Sequence, residues 1–245
     1  MEWYERWFGK EYLVVYENRN SEEAEREIKT IKHVLNLKAD ELILDLCCGS
    51  GRHDIHLVNL ECKVIGLDFS WPLLKIARSS FPPDSLYPQY IRADARDIPF
   101  RDGVFDVVLN LFTSFGYFED RENQGFLRSL CRVLKTNGRF YIDYLNPLRV
   151  LSDLVEESVT QKNSTKIIEK RRYNTSTCRL EKTIVLLNDS NTRIYHESVR
   201  LYNCEEMLSM FMSAGLDTAG VLGSVDGDLY SESSERMILY GAKRK

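Results

Sequence analysis

The chain has 245 residues, 43% of them hydrophobic and 29% charged, with 33 Lys+Arg against 37 Asp+Glu and a net charge of -4. That length buries a substantial core, the composition is that of a folded protein, and the slight acidity gives no general attraction to nucleic acid or an acidic membrane surface. Six cysteines without C-x-x-C spacing suggest neither a metal site nor a disulfide framework, and the start, MEWYERWFGK, has no signal-peptide pattern, so the protein is read as cytoplasmic with no membrane partner.

In chain order, residues 3 to 36 read as two helical pieces, an aromatic one (WYERWFGKEYLVVY) and NSEEAEREIKTIKHVL, with Asn20 as N-cap and Glu23 three residues on. Tyr12 and Tyr16, four apart, share a helix face that can close over a ligand or simply pack. From Leu42 the apolar runs LILDL, CKVIGLD, YPQYIRAD, FDVVLNLF and RFYIDYL recur, with helix-compatible sequence after the first, second and fourth. Strands alternating with helices predict a parallel sheet with right-handed crossovers. The helix from Glu119 to Leu134 is expected to stop at Asn137 and Gly138, with the fifth strand directly after. Beyond about residue 157, TKIIEKRRY, CRLEKTIVLL and TRIYHESVRLY read as an antiparallel meander, whose Lys170, Arg171 and Arg172 are a solvated strand face. A helix (Cys204 to Ala214), a Gly-rich connection and a last strand, ERMILYGAK, close the chain.

In such a sheet the ligand crevice lies beyond the strands' carboxyl ends, where LILDLCCGSGRH turns from the first strand into its helix. The dinucleotide fingerprint needs a third glycine, and Asp54 stands there instead. Asp45, before the turn, asks for a ligand with a positive group. Asp68, ending the second strand 17 residues beyond Gly51, can accept two hydrogen bonds from a ribose diol, whether of NAD or of S-adenosylmethionine. Asp94, in YIRADARDIPF, can receive an adenine amino group while Ala95 offers its backbone N–H.

These motifs together resemble the class I S-adenosylmethionine-dependent methyltransferases. LDLCCGSG looks like their glycine loop, GLDFS like their ribose acid, RADARDIPF like their adenine segment and FDVVLNLFTSFGYF like their fourth motif. The resemblance spans about residues 36 to 150. It implies an α/β fold with a Rossmann-like, seven-stranded, mostly parallel sheet and helices on both faces. A helical cover (1–36), a core (37–157), an antiparallel insert (158–202) and a C-terminal completion (203–245) would make up the chain. It also implies S-adenosyl-L-methionine as cofactor, S-adenosyl-L-homocysteine as product, and Asp45, Cys47, Gly49, Gly51, Asp68, Phe69, Asp94, Ala95, Asn110 and Leu111, with Tyr12 and Tyr16, as cofactor-binding residues. Cys47 departs from the family, standing where many members have a first glycine, a small-for-small change. FTSFGYF and the meander are similar to small-molecule methyltransferases of the amino-sugar and glycine N-methylating kind.

Methyl transfer is an in-line displacement that gains most from alignment, and only a protonated or hydroxyl acceptor requires a base. Tyr117, Asp143 and His196 are the catalytic candidates, and Tyr117, Asn146 and Arg200 the acceptor-binding ones. Each also has a bland reading, as packed aromatic, strand-end polar residue or solvated sheet surface. His53 either borders the methionine end of the cofactor or faces solvent as a cap. Strand alternation puts His196, Arg200 and Tyr202 on one face and Glu197 on the other. The expected activity is methylation of a small-molecule amine. A hydroxyl acceptor, an RNA or protein methyltransferase, a nicotinamide oxidoreductase and a non-catalytic cofactor-binding protein remain as alternatives. The meander is either a lid or a homodimer surface.

Overall fold

The computed structural model describes residues 3–16, 21–188 and 191–245, so the cap expected at Asn20 lies outside the described residues. Strand β1 (Leu42–Leu46) is an interior strand of a seven-stranded sheet. It pairs in parallel with β2 (Lys63–Asp68) on one side and β4 (Phe105–Asn110) on the other. Beyond them lie β3 (Gln89–Arg92) and β5 (Leu134–Leu145), also parallel. The C-terminal β11 (Arg236–Lys243) enters antiparallel between β5 and β10 (Leu216–Leu222), giving the order β10-β11-β5-β4-β1-β2-β3.

These strands are nearly continuous apolar runs because both faces are covered, and the period of two divides each run between two cores. Ile43, Val107 and Tyr141 meet Ile28, Ile31 and Leu35 of α3 (Ser21–Leu35) and Leu57 of α4 (Asp54–Val58). Leu44, Val108, Phe140 and Ile142 meet Phe126, Leu127 and Leu130 of α6 (Asp120–Val133) and Met207 and Phe211 of α8 (Cys204–Ser213). Capping boxes fix where α6 and α8 begin, Glu119 with Glu122 and Asn203 with Glu206. No helix of the described residues is long and apolar enough to cross a membrane.

Three local expectations are corrected. The N-terminal part is three described helices, α1 (Trp3–Trp7), α2 (Lys10–Val15) and α3, because extended backbone at Gly9 interrupts the aromatic piece. The segment from Lys135 to Gly138 is no loop after α6. Strand β5 starts at Leu134, and the left-handed Asn137 (φ 61) lies in an irregularity where pairing jumps from Leu134 to Arg139. The insert has four strands, β6 (Glu157–Lys162), β7 (Thr165–Asn174), β8 (Arg179–Asn188) and β9 (Asn191–Arg200). The unforeseen β6 is almost wholly polar, so hydropathy gave no sign of it.

The insert's inner face packs on α1 and α2. Trp7 is fully buried against Ile167, Ile184 and Leu186. Its indole Nε1 donates to Glu197 Oε1 at 2.6 Å, and the Tyr16 hydroxyl donates to the same carboxylate at 2.7 Å. Lys182 bridges Tyr16 (2.9 Å) and Glu169 (2.5 Å). Cover and insert are therefore joined by packing and by shared charge.

Candidate functional site

A cleft of about 1130 Å³, solvent mouth included, opens at the carboxyl ends of β1, β2 and β4. Its floor is the glycine turn. Cys47, Gly49 and Gly51 all have left-handed backbones, with φ of 66°, 58° and 71°. At Gly51 a Cβ would lie 2.5 Å from the Tyr90 hydroxyl and 3.0 Å from Ala77, so both space and conformation demand glycine. The same conformation at Cys47 qualifies the small-for-small reading, since cysteine fits by volume but carries a Cβ where glycine is unstrained. Burial is the first cause holding the Cys47 and Cys48 thiols well above their ordinary range, with Asp68 and Asp54 respectively next, so both are neutral.

Asp68 closes the turn. Its Oδ2 accepts from Gly49 N at 2.8 Å and its Oδ1 from Ser70 N at 2.7 Å. A carboxylate has about four acceptor directions, so each oxygen retains capacity for a diol in the cleft. Burial raises the Asp68 pKa, opposed by these backbone donors. Asp94 is gripped by the Arg96 guanidinium at 2.7 Å. That hydrogen bonding outweighs the upward push of burial and leaves the carboxyl below its ordinary value. Phe69, Ala95 and Leu111 line the walls. Tyr12 and Tyr16 reach the cleft from above together with Tyr4 and Phe8, so the cover closes over the turn.

Asp45 also lines the cleft, fully buried, and neither carboxylate oxygen has a hydrogen-bond donor among the described residues. A ligand combining a diol, an aromatic base and a cation suits this set, and one carrying a pyrophosphate does not, because Asp45, Asp54 and Asp68 crowd the turn. The donor set therefore fits S-adenosylmethionine. Asp45 and Asp68 would hold its ammonium and ribose, and Asp94 and Ala95 its adenine edge.

His53 lies buried in the cleft wall rather than facing solvent, with Nε2 3.0 Å from Glu27 Oε2 on α3. Burial first, then the Arg52 charge, pushes its pKa down to about 3. Burial pushes Glu27 up to about 7. The imidazole is thus neutral at physiological pH and a weak proton acceptor.

Tyr117 lines the cleft, its ring 5.0 Å from Trp3 and 5.8 Å from Phe8. The other expected catalytic and acceptor residues lie elsewhere. Asp143 shares the strand face of Tyr141, towards α3, and Arg236 occupies both its oxygens (2.7 and 2.6 Å), with Phe112 N adding a third bond at 2.8 Å. Burial lifts its pKa to about 6 against the pull of Arg236. Asn146 caps α7 (Pro147–Ser152) and donates to the carbonyls of Glu232 and Ser234, pinning the connection before β11. His196 is on the insert beside Thr183, in a shallow surface depression. Arg200 pairs with Glu206 and Asp120 and lies 4.5 Å from the Tyr202 ring. Asn110 sits beneath the cleft, its amide donating to Leu46 O at 2.7 Å, and ties β4 to β1. The face of β9 turned to the cover is that of Glu197, opposite to the one singled out from alternation.

Arg179 was missed in the sequence. It is nine-tenths buried and donates to the carbonyls of Gly116 (3.3 Å), Tyr117 (2.8 Å) and Phe118 (3.0 Å) and to Ser198 Oγ (2.7 Å). It fastens the insert to the loop that carries Tyr117. An arginine in an alternating strand gives no sign of partners 61 residues away.

Residues 43–138 match the family model described as a methyltransferase domain. Over that span the chain is similar to a methyltransferase domain. Among curated relatives, the demethylmenaquinone methyltransferase of Thermus thermophilus is 39% identical over 109 residues, 43% of this chain and 47% of that protein. The alignment thus spans less than half of that relative. The cypemycin N-terminal methyltransferase of Streptomyces sp is 27% identical over 205 residues, 80% of this chain and 81% of that protein. Among solved structures, the CcbJ methyltransferase from Streptomyces caelestis superposes with a TM-score of 0.82 at 19% identity, covering 98% of this chain and 99% of the other. S-adenosylmethionine-bound CalS10, an amino pentose methyltransferase from Micromonospora echinaspora, gives 0.66 at 18% identity over 96% and 97%. These likenesses extend the methyltransferase fold over the cover and the insert as well as the matched domain.

Proposed function

We propose that this protein transfers a methyl group from S-adenosylmethionine to an amine nitrogen of a small molecule held in the cleft under the N-terminal cover. The observation that carries the nitrogen assignment is that neither His53 nor Asp143 can serve the acceptor as a base. The cleft's one imidazole among the described residues, His53, is neutral with a pKa of about 3, and Asp143 is consumed by Arg236. A hydroxyl acceptor must lose its proton before or during attack, whereas a free amine attacks with its own lone pair. The aromatic wall of Tyr4, Phe8 and Tyr117, backed by Trp3, suits a cationic or apolar acceptor and excludes water, which leaves alignment as the main source of rate. Tyr117 would orient the acceptor, its ring held by Trp3 and Phe8 and its backbone by Arg179. Similar proteins named as an N-terminal methyltransferase, a sugar N-methyltransferase and an amino pentose methyltransferase support nitrogen chemistry.

The insert acts as a lid in this reading, because its inner face is already spent on Trp7 and Tyr16. The roofed cleft and net charge of -4 disfavour an RNA substrate. The test is transfer of a radioactive methyl group from the cofactor to a panel of amino sugars, amino-terminal peptides and hydroxyl compounds. Labelled amines support the reading, and labelling confined to hydroxyls overturns it.

A further inference from the structure

The loop from β4 to α6 puts Phe112, Ser114 and Tyr117 into the cleft wall. Asp68 and Asp94, the acids suited to ribose and adenine, end β2 and follow β3, on one side of β1 in the sheet. The loop leaves β4 on the other side, where the cleft has room for an acceptor. Its first turn has an unfavourable backbone. Phe112 and Thr113 are both left-handed, with φ of 62° and 53°, a region that an aromatic and a β-branched side chain enter only at a cost. Such a backbone persists where its surroundings over-determine it. Here residue 143 takes both amides, Phe112 N donating to Asp143 Oδ2 at 2.8 Å and Thr113 N to the Asp143 carbonyl at 2.9 Å. Arg236, at the start of β11, donates through Nη2 to Thr113 Oγ1 at 2.8 Å while its Nε and Nη2 grip the Asp143 carboxylate. The Phe112 ring lies between two guanidiniums, 5.8 Å from Arg236 and 5.3 Å from Arg52. The far end of the loop is fastened separately, by Arg179 and by Arg200 N on Gly116 O at 2.9 Å.

We propose that Arg236 and Asp143 are positioning residues for the methyl acceptor: together they hold Phe112–Ser114 in its left-handed turn and so set the wall that aligns the acceptor with the methyl group. The inference rests on the cleft being the site of methyl transfer to a small molecule. Neither residue touches the acceptor. Asp143 is turned towards α3, and the pair acts through the loop it grips. The work asks for an arginine, because one planar fork must meet a carboxylate through two nitrogens, reach a third oxygen on Thr113 and lie beside an aromatic ring. A lysine ammonium can pair with Asp143 but cannot do all three. Alignment is the cleft's main source of rate, so a small displacement of this wall should be felt in turnover while the glycine turn and its cofactor acids stay as they are.

The experiment compares the full chain with Arg236→Lys, Thr113→Gly and the double variant, using as acceptor the amine that the parent labels fastest in the panel of amino sugars and amino-terminal peptides. Thr113→Gly separates position from stability. Glycine occupies a left-handed backbone without strain, so the urea midpoint should stay near the parent's although the Arg236 contact is lost. In both single variants kcat/KM for the acceptor should fall by about 10- to 100-fold, while S-adenosylhomocysteine affinity by calorimetry stays within about twofold. The double variant should lose no more than the worse single one, because both act on the same turn. Amide exchange of residues 111–114 should quicken in Arg236→Lys. If Arg236→Lys does not fold, Thr113→Gly still decides. Parent-like kcat/KM in Thr113→Gly, or a matching loss of S-adenosylhomocysteine affinity, overturns the proposal. A parent that binds S-adenosylhomocysteine and labels no compound of the panel would instead overturn the methyl-transfer reading on which it rests.

Discussion

The buried Glu27–His53 contact makes a quantitative prediction about stability and pH. Glu27 has a folded-state pKa of about 7 and His53 of about 3, against ordinary values of 4.5 and 6.5. A raised carboxyl contributes stability below its unfolded pKa and loses it as pH rises through the folded one. A depressed imidazole contributes stability above its unfolded pKa and loses it as pH falls. Between the two unfolded values the unfolded chain holds one proton, on histidine, and the folded chain also holds one, on Glu27. Folding then moves a proton from one residue to the other, and the pair contributes no slope. Replacing Glu27 by Gln removes the acceptor. The unfolded chain still binds one proton and the folded chain none, so stability should climb by about 1.4 kcal/mol per pH unit relative to the parent, about 3 kcal/mol across the window. Asp143, which titrates over the same range with a folded pKa of about 6, is present in both proteins and cancels in the difference. Urea unfolding of both at pH 4.5, 5.5 and 6.5 measures it. Parallel curves would refute the reasoning, since His53 would then have to be protonated in the folded variant.

Two further substitutions test the geometry of the site. Gly51→Ala forces a Cβ to 2.5 Å from the Tyr90 hydroxyl at a φ of 71°, which should cost about 2–4 kcal/mol of stability, read as a lowered urea midpoint with an unchanged slope. Arg179→Ala removes the donors that hold residues 116–118. Acceptor KM should rise by about tenfold while S-adenosylhomocysteine affinity stays within about twofold, and equal loss of both would mean that Arg179 supports the fold as a whole.

The sheet was legible because its signal is local. LILDL, KVIGLD and FDVVLN announce buried strands, and the glycines and acids that end them mark the crevice without any knowledge of partners. Tyr12, Tyr16, Asp68 and Asp94 could be named for the same reason, and all of them line the cleft. Polar residues whose role depends on distant chain were misread. Asp143 ends a strand as a site residue should, but its alternation phase points it to α3, where Arg236, 93 residues later, takes the carboxylate. His53 looked like an exposed cap because Glu27, 26 residues earlier, is visible only once α3 packs on α4. On β9, period two divides the faces correctly but cannot say which meets the cover. That choice is made by Trp7 and Tyr16, which find Glu197.

The account depends most on the acidic glycine turn being a site for S-adenosylmethionine, and calorimetric titration with S-adenosylmethionine, S-adenosylhomocysteine and NADH tests it directly on the parent chain and on Asp68→Asn. Asparagine retains one acceptor for the Gly49 or Ser70 N–H, so the turn should survive while the ribose loses its charged partner. The predicted result is micromolar binding of the first two ligands, weakened in the variant by about 10- to 100-fold, with no binding of NADH. Binding of NADH alone, or affinities for the first two that ignore the Asp68 substitution, would contradict the reading of the turn and with it the proposed activity.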